Sequence, residues 1–423
     1  MLSKYNYTAS IIFISFWWLI ALKTPVATQP NLLIENFDKN LITDDPKFFS
    51  FSTLLNLDRN EIQKALDGDV SLMKQLIYNW DLESEFLEQQ GIEQIKRIPR
   101  KDYIKSQMLA KILTTSTPEV LNDIQELVRK KLIIDFLGNP IDLNHKIDKL
   151  LPQTYFSAAI LMSIVSDKKI VSLPKGMRKQ KKIYPEKIMN QIEMDLDNYQ
   201  SEKIFKISPD LAIISPSYSH PSTFENLRNQ EIPIFNMDSI RSIENLKKAI
   251  NDLGQISQQP LKSELLTIFI DAALNAIDNK RIITNKNLNP ENTLIVNFHT
   301  HFSLPAKNTI IYELIKRLGN INPWYDHHVG NQSWSYTLKE EDLIAINPEH
   351  LLIITLKNEN SLNFFYQTEI FKYLNAAKND GIKILDEEVL QNCSQYIVLA
   401  YYDINNSLCD LEGSKRNMVD FHE

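Results

Sequence analysis

KLIIDFLGNPIDLNHKIDKLLPQTYFSAAILMSIVSDKKIVSLP, residues Lys131–Pro174, reads as the opening unit of an α/β fold. Leu132–Ile134 and Ile141–Leu143 are expected to pair as a hairpin around Phe136-Leu137-Gly138-Asn139-Pro140, because Gly, Asn and Pro supply turn geometry. A short apolar strand is expected at Lys149–Leu151, followed by a polar, aromatic loop, Pro152-Gln153-Thr154-Tyr155-Phe156. An apolar helix over Ser157–Val165 and a second strand over Lys169–Leu173 close the unit.

Working outward, the alternation continues to residue 412. Further strands are expected at Leu211–Ser215, Ile232–Asn236, Thr293–Asn297, Leu351–Thr355 and Ile382–Leu385. Helices are expected at Gln200–Ile207, Ser222–Asn229, Ile240–Leu253, Lys262–Asp278, Ile310–Leu318, Lys339–Ile346 and Gln367–Asn375. Short apolar strands alternating with helices indicate parallel sheets covered on both faces. Two such runs flank one long helix, Leu261–Ile283. The expected fold class is therefore α/β: two Rossmann-like lobes, residues 131–260 and 284–423, joined by that helix and preceded by a mainly helical extension, residues 46–130.

In the extension, Asn60–Leu66 and Val70–Tyr78 carry apolar residues at helical spacing, and Thr117-Pro118 starts a helix over Glu119–Lys130. No catalytic or metal-binding constellation is visible there, so the segment reads either as packing on its neighbour or as docking a partner. Residues 28–45 read as a linker. At the start, Lys4 precedes a 12-residue apolar run, Ile11–Leu22. That run is short for a bilayer span and suits a signal peptide over residues 1–27, with an uncleaved membrane anchor as the alternative.

A formal charge of −7 argues against nucleic acid as a partner, since phosphate contacts need clustered Lys and Arg. The chain has two Cys, Cys393 and Cys409, too few for a metal framework of their own; both a bridge and two free thiols stay open. With nine Gly, and without G-x-S-x-G, Walker A or G-x-G-x-x-G, the sequence gives no support for an enzyme.

The quoted unit resembles the start of the periplasmic substrate-binding proteins of ABC importers for iron-siderophore, haem and cobalamin complexes. Their D-x-x-G hairpin matches Asp135–Gly138, and their strand, ligand loop and helix match Lys149–Leu151, Pro152–Phe156 and Ser157–Val165. The resemblance continues through Ser208–Ile214, Leu227–Phe235, Ser239–Gly254, Tyr312–Asn322 and Leu343–Ile354, in the family's order, and leaves residues 1–130 outside. It implies an exported, periplasmic, monomeric binding protein with no intrinsic cofactor. Such a protein captures an iron complex, haem or cobalamin between its lobes and delivers it to an ABC permease. It also implies a stiff pair of lobes that close only slightly on ligand.

Ligands in such sheets sit off the carboxyl ends of the strands. On the first lobe this makes Gln153, Thr154, Tyr155, Arg178, Tyr218 and His220 the candidate contacts; on the second, His301, Trp324, Tyr325 and Trp334. Aromatic walls suit a large planar or chelate ligand, Arg pairs with anionic groups, and Tyr or His can ligate haem iron. By the resemblance, Glu225 and Glu313 are the candidates for docking on the permease. Two further readings remain. His299 and His301, expected on one face of a strand end, with His327 and His328, could bind bare Zn²⁺ or Mn²⁺. A relative that has lost its ligand and binds a periplasmic partner is the other. The loop Asp386-Glu387-Glu388 departs from the family in lacking an aromatic residue.

Overall fold

The computed structural model describes residues 54, 56–197, 201–284, 292–319, 328–330, 335–356 and 361–419. The expected signal peptide and linker lie outside these residues. Residues 52–423 form one compact unit.

The chain enters through four helices: α1 (Arg59–Leu66), α2 (Val70–Gln89), α3 (Arg100–Thr115) and α4 (Pro118–Val128). Helix α2 runs about three turns past the expected Tyr78, because Trp80, Ser84 and Leu87 continue its buried stripe. Thr117 caps α4, its side chain accepting from Val120 N, with Pro118 at the first helical position.

The first lobe starts with the hairpin β1 (Leu132–Ile134) and β2 (Pro140–Asp142), paired antiparallel through Ile133 and Ile141. Asp135 pins it: its carboxylate accepts from Leu137 N (2.9 Å), Asn139 N (2.7 Å) and the Asn236 amide side chain (2.6 Å). Burial would raise this carboxyl, but the bonds from Asn236 and Asn139 outweigh it and hold it below the usual range. There follow β3 (Leu150–Pro152), α5 (Tyr155–Ile164), β4 (Leu173–Pro174), α6 (Glu186–Met189), β5 (Asp195–Leu196), α7 (Ser201–Ile207), β6 (Leu211–Ile214), α8 (Pro221–Arg228), β7 (Ile234–Asn236) and α9 (Ile243–Ile256). The strand expected over Lys169–Leu173 is shorter: Asp167–Lys169 is a 3-10 turn and Ile170 makes a single parallel bridge to Leu150. Through that bridge the parallel order is β5-β4-β3-β6-β7.

Helix α10 (Pro260–Thr284), 25 residues long, joins the lobes. The second lobe holds β8 (Thr293–Phe298), β9 (Phe302–Pro305), α11 (Ile310–Arg317), β10 (Ser335–Leu338), α12 (Glu340–Ile346), β11 (His350–Thr355), α13 (Ser361–Gln367), α14 (Asn375–Lys378), β12 (Ile382–Asp386), α15 (Glu387–Leu390) and α16 (Ile397–Val419). Its sheet runs β10-β9-β8-β11-β12, with β8, β11 and β12 parallel and the β9–β10 edge antiparallel. Both sheets are buried on two faces. In the first lobe Leu150, Leu211 and Ile213 pack on one side and Leu151, Ala212 and Ile214 on the other. In the second, Ile295, Leu352 and Ile354 oppose Leu294, Val296, Leu351 and Ile353. That is why their strands read as unbroken apolar runs. The helix expected at Gln367–Asn375 is instead broken into α13, a 3-10 turn over Glu369–Tyr373 and α14. The fold class is as expected, two α/β lobes joined by a long helix behind a helical extension.

Candidate ligand cleft

The order of the first sheet reverses between β3 and β6, and the loops leaving these two strands part there, as at a ligand crevice. Gln153 staples them: its Oε1 accepts from Ser215 N and Ser219 Oγ (both 2.9 Å) and its Nε2 donates to Tyr218 O (3.3 Å). A cleft of about 530 Å3 opens on this edge, lined by Tyr155, Lys175, Asp197, Tyr218, His220 and Asn226 among others.

The expected residues of the first lobe each have a definite place. Thr154 caps α5, exchanging bonds with Ser157 in a capping box, and leads the chain into the cleft wall. Tyr155 is half-buried and its hydroxyl donates to Lys175 O (2.7 Å). Burial, and then the charge of Asp195, raise its pKa, so it stands as a neutral phenol. Gly176, at φ +88°, lets the chain pass close to this ring: a Cβ there would lie 2.5 Å from the Tyr155 hydroxyl. Tyr218 is exposed, with its ring edge-on to Phe156 at 6.4 Å. His220 caps α8, its Nδ1 accepting from Ser222 N (3.3 Å), and leaves the ring at the cleft mouth.

Arg178 lies elsewhere. Its guanidinium is folded onto Asp195 (2.7 Å) and onto the carbonyls of Met189 and Ile192, where it closes the α6–β5 loop instead of lining the cleft. The cleft's basic group is Lys175, paired with Asp197 (3.0 Å), which also receives Lys203 (3.0 Å). Hydrogen bonds from these two lysines hold the Asp197 carboxyl down to about 2. Asp197 was not legible because β5 is only two residues long and gives no strand signal, and Thr223 and Asn226 were not because they sit on α8 and not in a strand-end loop.

The second lobe faces the first across the carboxyl ends of its strands. Lys182, in the loop after β4, pairs with Asp386, the last residue of β12 (2.9 Å), and Asn392 Nδ2 donates to the Tyr184 hydroxyl (2.8 Å). His299 and His301 do not share a strand face: they sit in the tight turn between β8 and β9, where Phe298 pairs with Phe302, so strand alternation does not apply. His299 Nδ1 lies 3.4 Å from Glu387, and His301 Nδ1 lies 3.1 Å from Thr300 Oγ1. Among the described residues no group of three or more His, Cys, Asp or Glu is placed to hold a metal ion. Trp324, Tyr325, His327 and Trp334 lie outside the described residues. Glu225 is exposed on α8, whereas Glu313 accepts from Ile243 N (2.7 Å) and ties α11 to α9 across the lobes. Cys393 and Cys409 are unbridged. No helix among the described residues is long and apolar enough to cross a membrane.

The sequence profile of a family described as periplasmic binding protein matches residues 157–389, more than half of the chain. The chain belongs to the periplasmic binding protein family. As a periplasmic binding protein it is a binder rather than an enzyme. Solved structures share its fold at low identity. A possible iron-binding, periplasmic solute-binding protein from Staphylococcus epidermidis is 17% identical, with a TM-score of 0.54 over 62% of this chain and 99% of its own. A periplasmic binding protein from Veillonella parvula, also 17% identical, has a TM-score of 0.52 over 66% and 90%. A periplasmic haem-binding protein from Roseiflexus, again 17% identical, has a TM-score of 0.50 over 63% and 99%. No curated protein matches the chain.

Proposed function

We propose that this periplasmic binding protein is the exported capture component of an ABC importer, working in the periplasm. It would take an iron chelate, haem or cobalamin into the cleft between its lobes and release it to a membrane permease. The observation that carries this reading is the cleft at the switch point of the first sheet, with two tyrosines, a histidine and a lysine around about 530 Å3, a size that suits a small-molecule ligand. Gln153 and Thr154 shape the wall, while Tyr155, Tyr218, His220 and Lys175 meet the ligand. The resemblance to the family makes His301, Trp324, Tyr325 and Trp334 the second lobe's candidates for ligand contact. Glu225 is the docking candidate that the fold leaves exposed, since Glu313 is engaged between the lobes. The haem-binding relative from Roseiflexus puts haem on the panel of ligands to try.

The test is an absorbance and tryptophan-fluorescence titration with haemin, cobalamin and ferric siderophores. One of them is expected to give a saturable one-to-one signal, weakened at least tenfold by Tyr218→Ala, which corresponds to about 1.4 kcal/mol. A flat response to every compound rejects the reading.

A further inference from the structure

The family match begins at residue 157, so helices α1–α4 lie outside it. These helices bond to three parts of the molecule that a moving pair of lobes would separate. Toward the first lobe, Gln63 Nε2 donates to Ile183 O (3.0 Å). The α1–α2 turn approaches so closely that a Cβ on Gly68, at φ +104°, would fall 2.2 Å from Ser163 O of α5. Toward the inter-lobe helix, Lys96 and Asn279 exchange bonds, Lys96 N to Asn279 Oδ1 (2.7 Å) and Asn279 Nδ2 to Lys96 O (2.8 Å). Lys96 Nζ also reaches Asp278 (2.8 Å), a fully buried carboxylate shared with Arg317 of the second lobe (2.8 Å) and the Tyr401 hydroxyl. Toward α16, Arg59 takes both oxygens of Asp403 (2.9 and 3.2 Å) and Leu57 O accepts from the Tyr402 hydroxyl (2.7 Å). Gln395, just ahead of that helix's first turn, returns to the first lobe and donates to Ala159 O (3.0 Å).

We propose that α1–α4 and α16 together brace the inter-lobe helix and fix the separation of the two lobes before any ligand arrives. Rocking the lobes about α10 would strain the Asn279 exchange and the Asp278 cluster on one side and the Gln63 and Gly68 contacts on the other. The Gln63, Asn279 and Tyr402 bonds are made to backbone atoms and Asp278 is fully buried, so these anchors hold geometry more firmly than exposed ion pairs do, while the half-buried Arg59–Asp403 pair adds a two-pronged tie.

The test uses ligand-free protein, so its failure is separate from failure of the transport reading. Spin labels are placed at the exposed positions Lys206→Cys and Glu340→Cys, one per lobe, in a background of Cys393→Ser and Cys409→Ser. A single narrow distance distribution is expected. Arg59→Ala, Gln63→Ala and Lys96→Met combined should broaden it or add a second population of at least a tenth, with the helical circular dichroism kept. A broad or two-peaked distribution in the parent overturns the brace, as does an unchanged one in the combined variant. If the combined variant does not fold, Arg59→Ala alone is read by the same two outcomes.

Discussion

Asp67 places a carboxyl group in the turn between α1 and α2, mostly buried, where it accepts from the Tyr396 hydroxyl. Burial raises its pKa to about 6 and the bond from Tyr396 lowers it only in part. A folded pKa above the unfolded value of 3.8 means the fold favours the protonated acid. The contribution to stability is full below about pH 4 and is lost as pH rises through about 6. Asp67→Asn stays neutral throughout and can still accept from Tyr396. It should match the parent near pH 4 and exceed it above pH 7 by roughly 1–3 kcal/mol, each pKa unit being about 1.4 kcal/mol. Denaturant titrations at pH 4, 6 and 8 measure this; a difference that does not change with pH would show that Asp67 is hydrated in the fold.

At the scale of the elements, α10 carries a buried ionic cluster. Asp278 is fully buried beneath Lys96, Arg281 and Arg317. Removing it leaves three cations facing one another, so Asp278→Ala should cost about 3–5 kcal/mol. Lys96→Met should cost about 1 kcal/mol or less, because Lys96 is 41% exposed and Asp278 keeps two arginines. Chemical denaturation of the two variants checks the order, and equal losses would refute this division of roles. The inter-lobe helix and the parallel strands were legible because burial on two faces leaves an unbroken apolar signature. The antiparallel edge, Phe302–Pro305 with Ser335–Leu338, was not: four-residue strands, one ending in proline, give too short a period. The break inside Gln367–Asn375 was hidden for another reason. Asn375 N finds its acceptor on Asn347 (2.8 Å), 28 residues earlier, and Leu374 is drawn into an extended conformation. Likewise, residue types marked the cleft loops as polar and aromatic, but nothing local shows that Arg178 is spent on the carbonyls of Met189 and Ile192.

At the scale of the whole molecule, one apolar cluster runs from Leu54 to Leu408 and takes in α1–α3, the inner faces of both sheets, α10 and α16. Eleven large side chains between Leu54 and Leu109, Trp80 and Met73 among them, are buried in it. At about 1.5–3 kcal/mol each they represent roughly 15–30 kcal/mol of burial as an upper estimate, part of it internal to the extension. Even half of that matches or exceeds the net stability of about 5–15 kcal/mol typical of a folded protein. The lobes therefore lack an independent core on the side of α10 that the extension covers, where Phe269 lies with its ring 5.7 Å from that of Trp80. A chain beginning at Lys130 should fail to reach the native state, exposing α10 and binding a hydrophobic dye, while the full chain unfolds in one calorimetric transition whose van't Hoff and measured enthalpies agree. Two separate transitions in the full chain, or a cooperative one in the shortened chain with its near-ultraviolet circular dichroism intact, would mean that the lobes fold alone and that the extension was added to a core already complete.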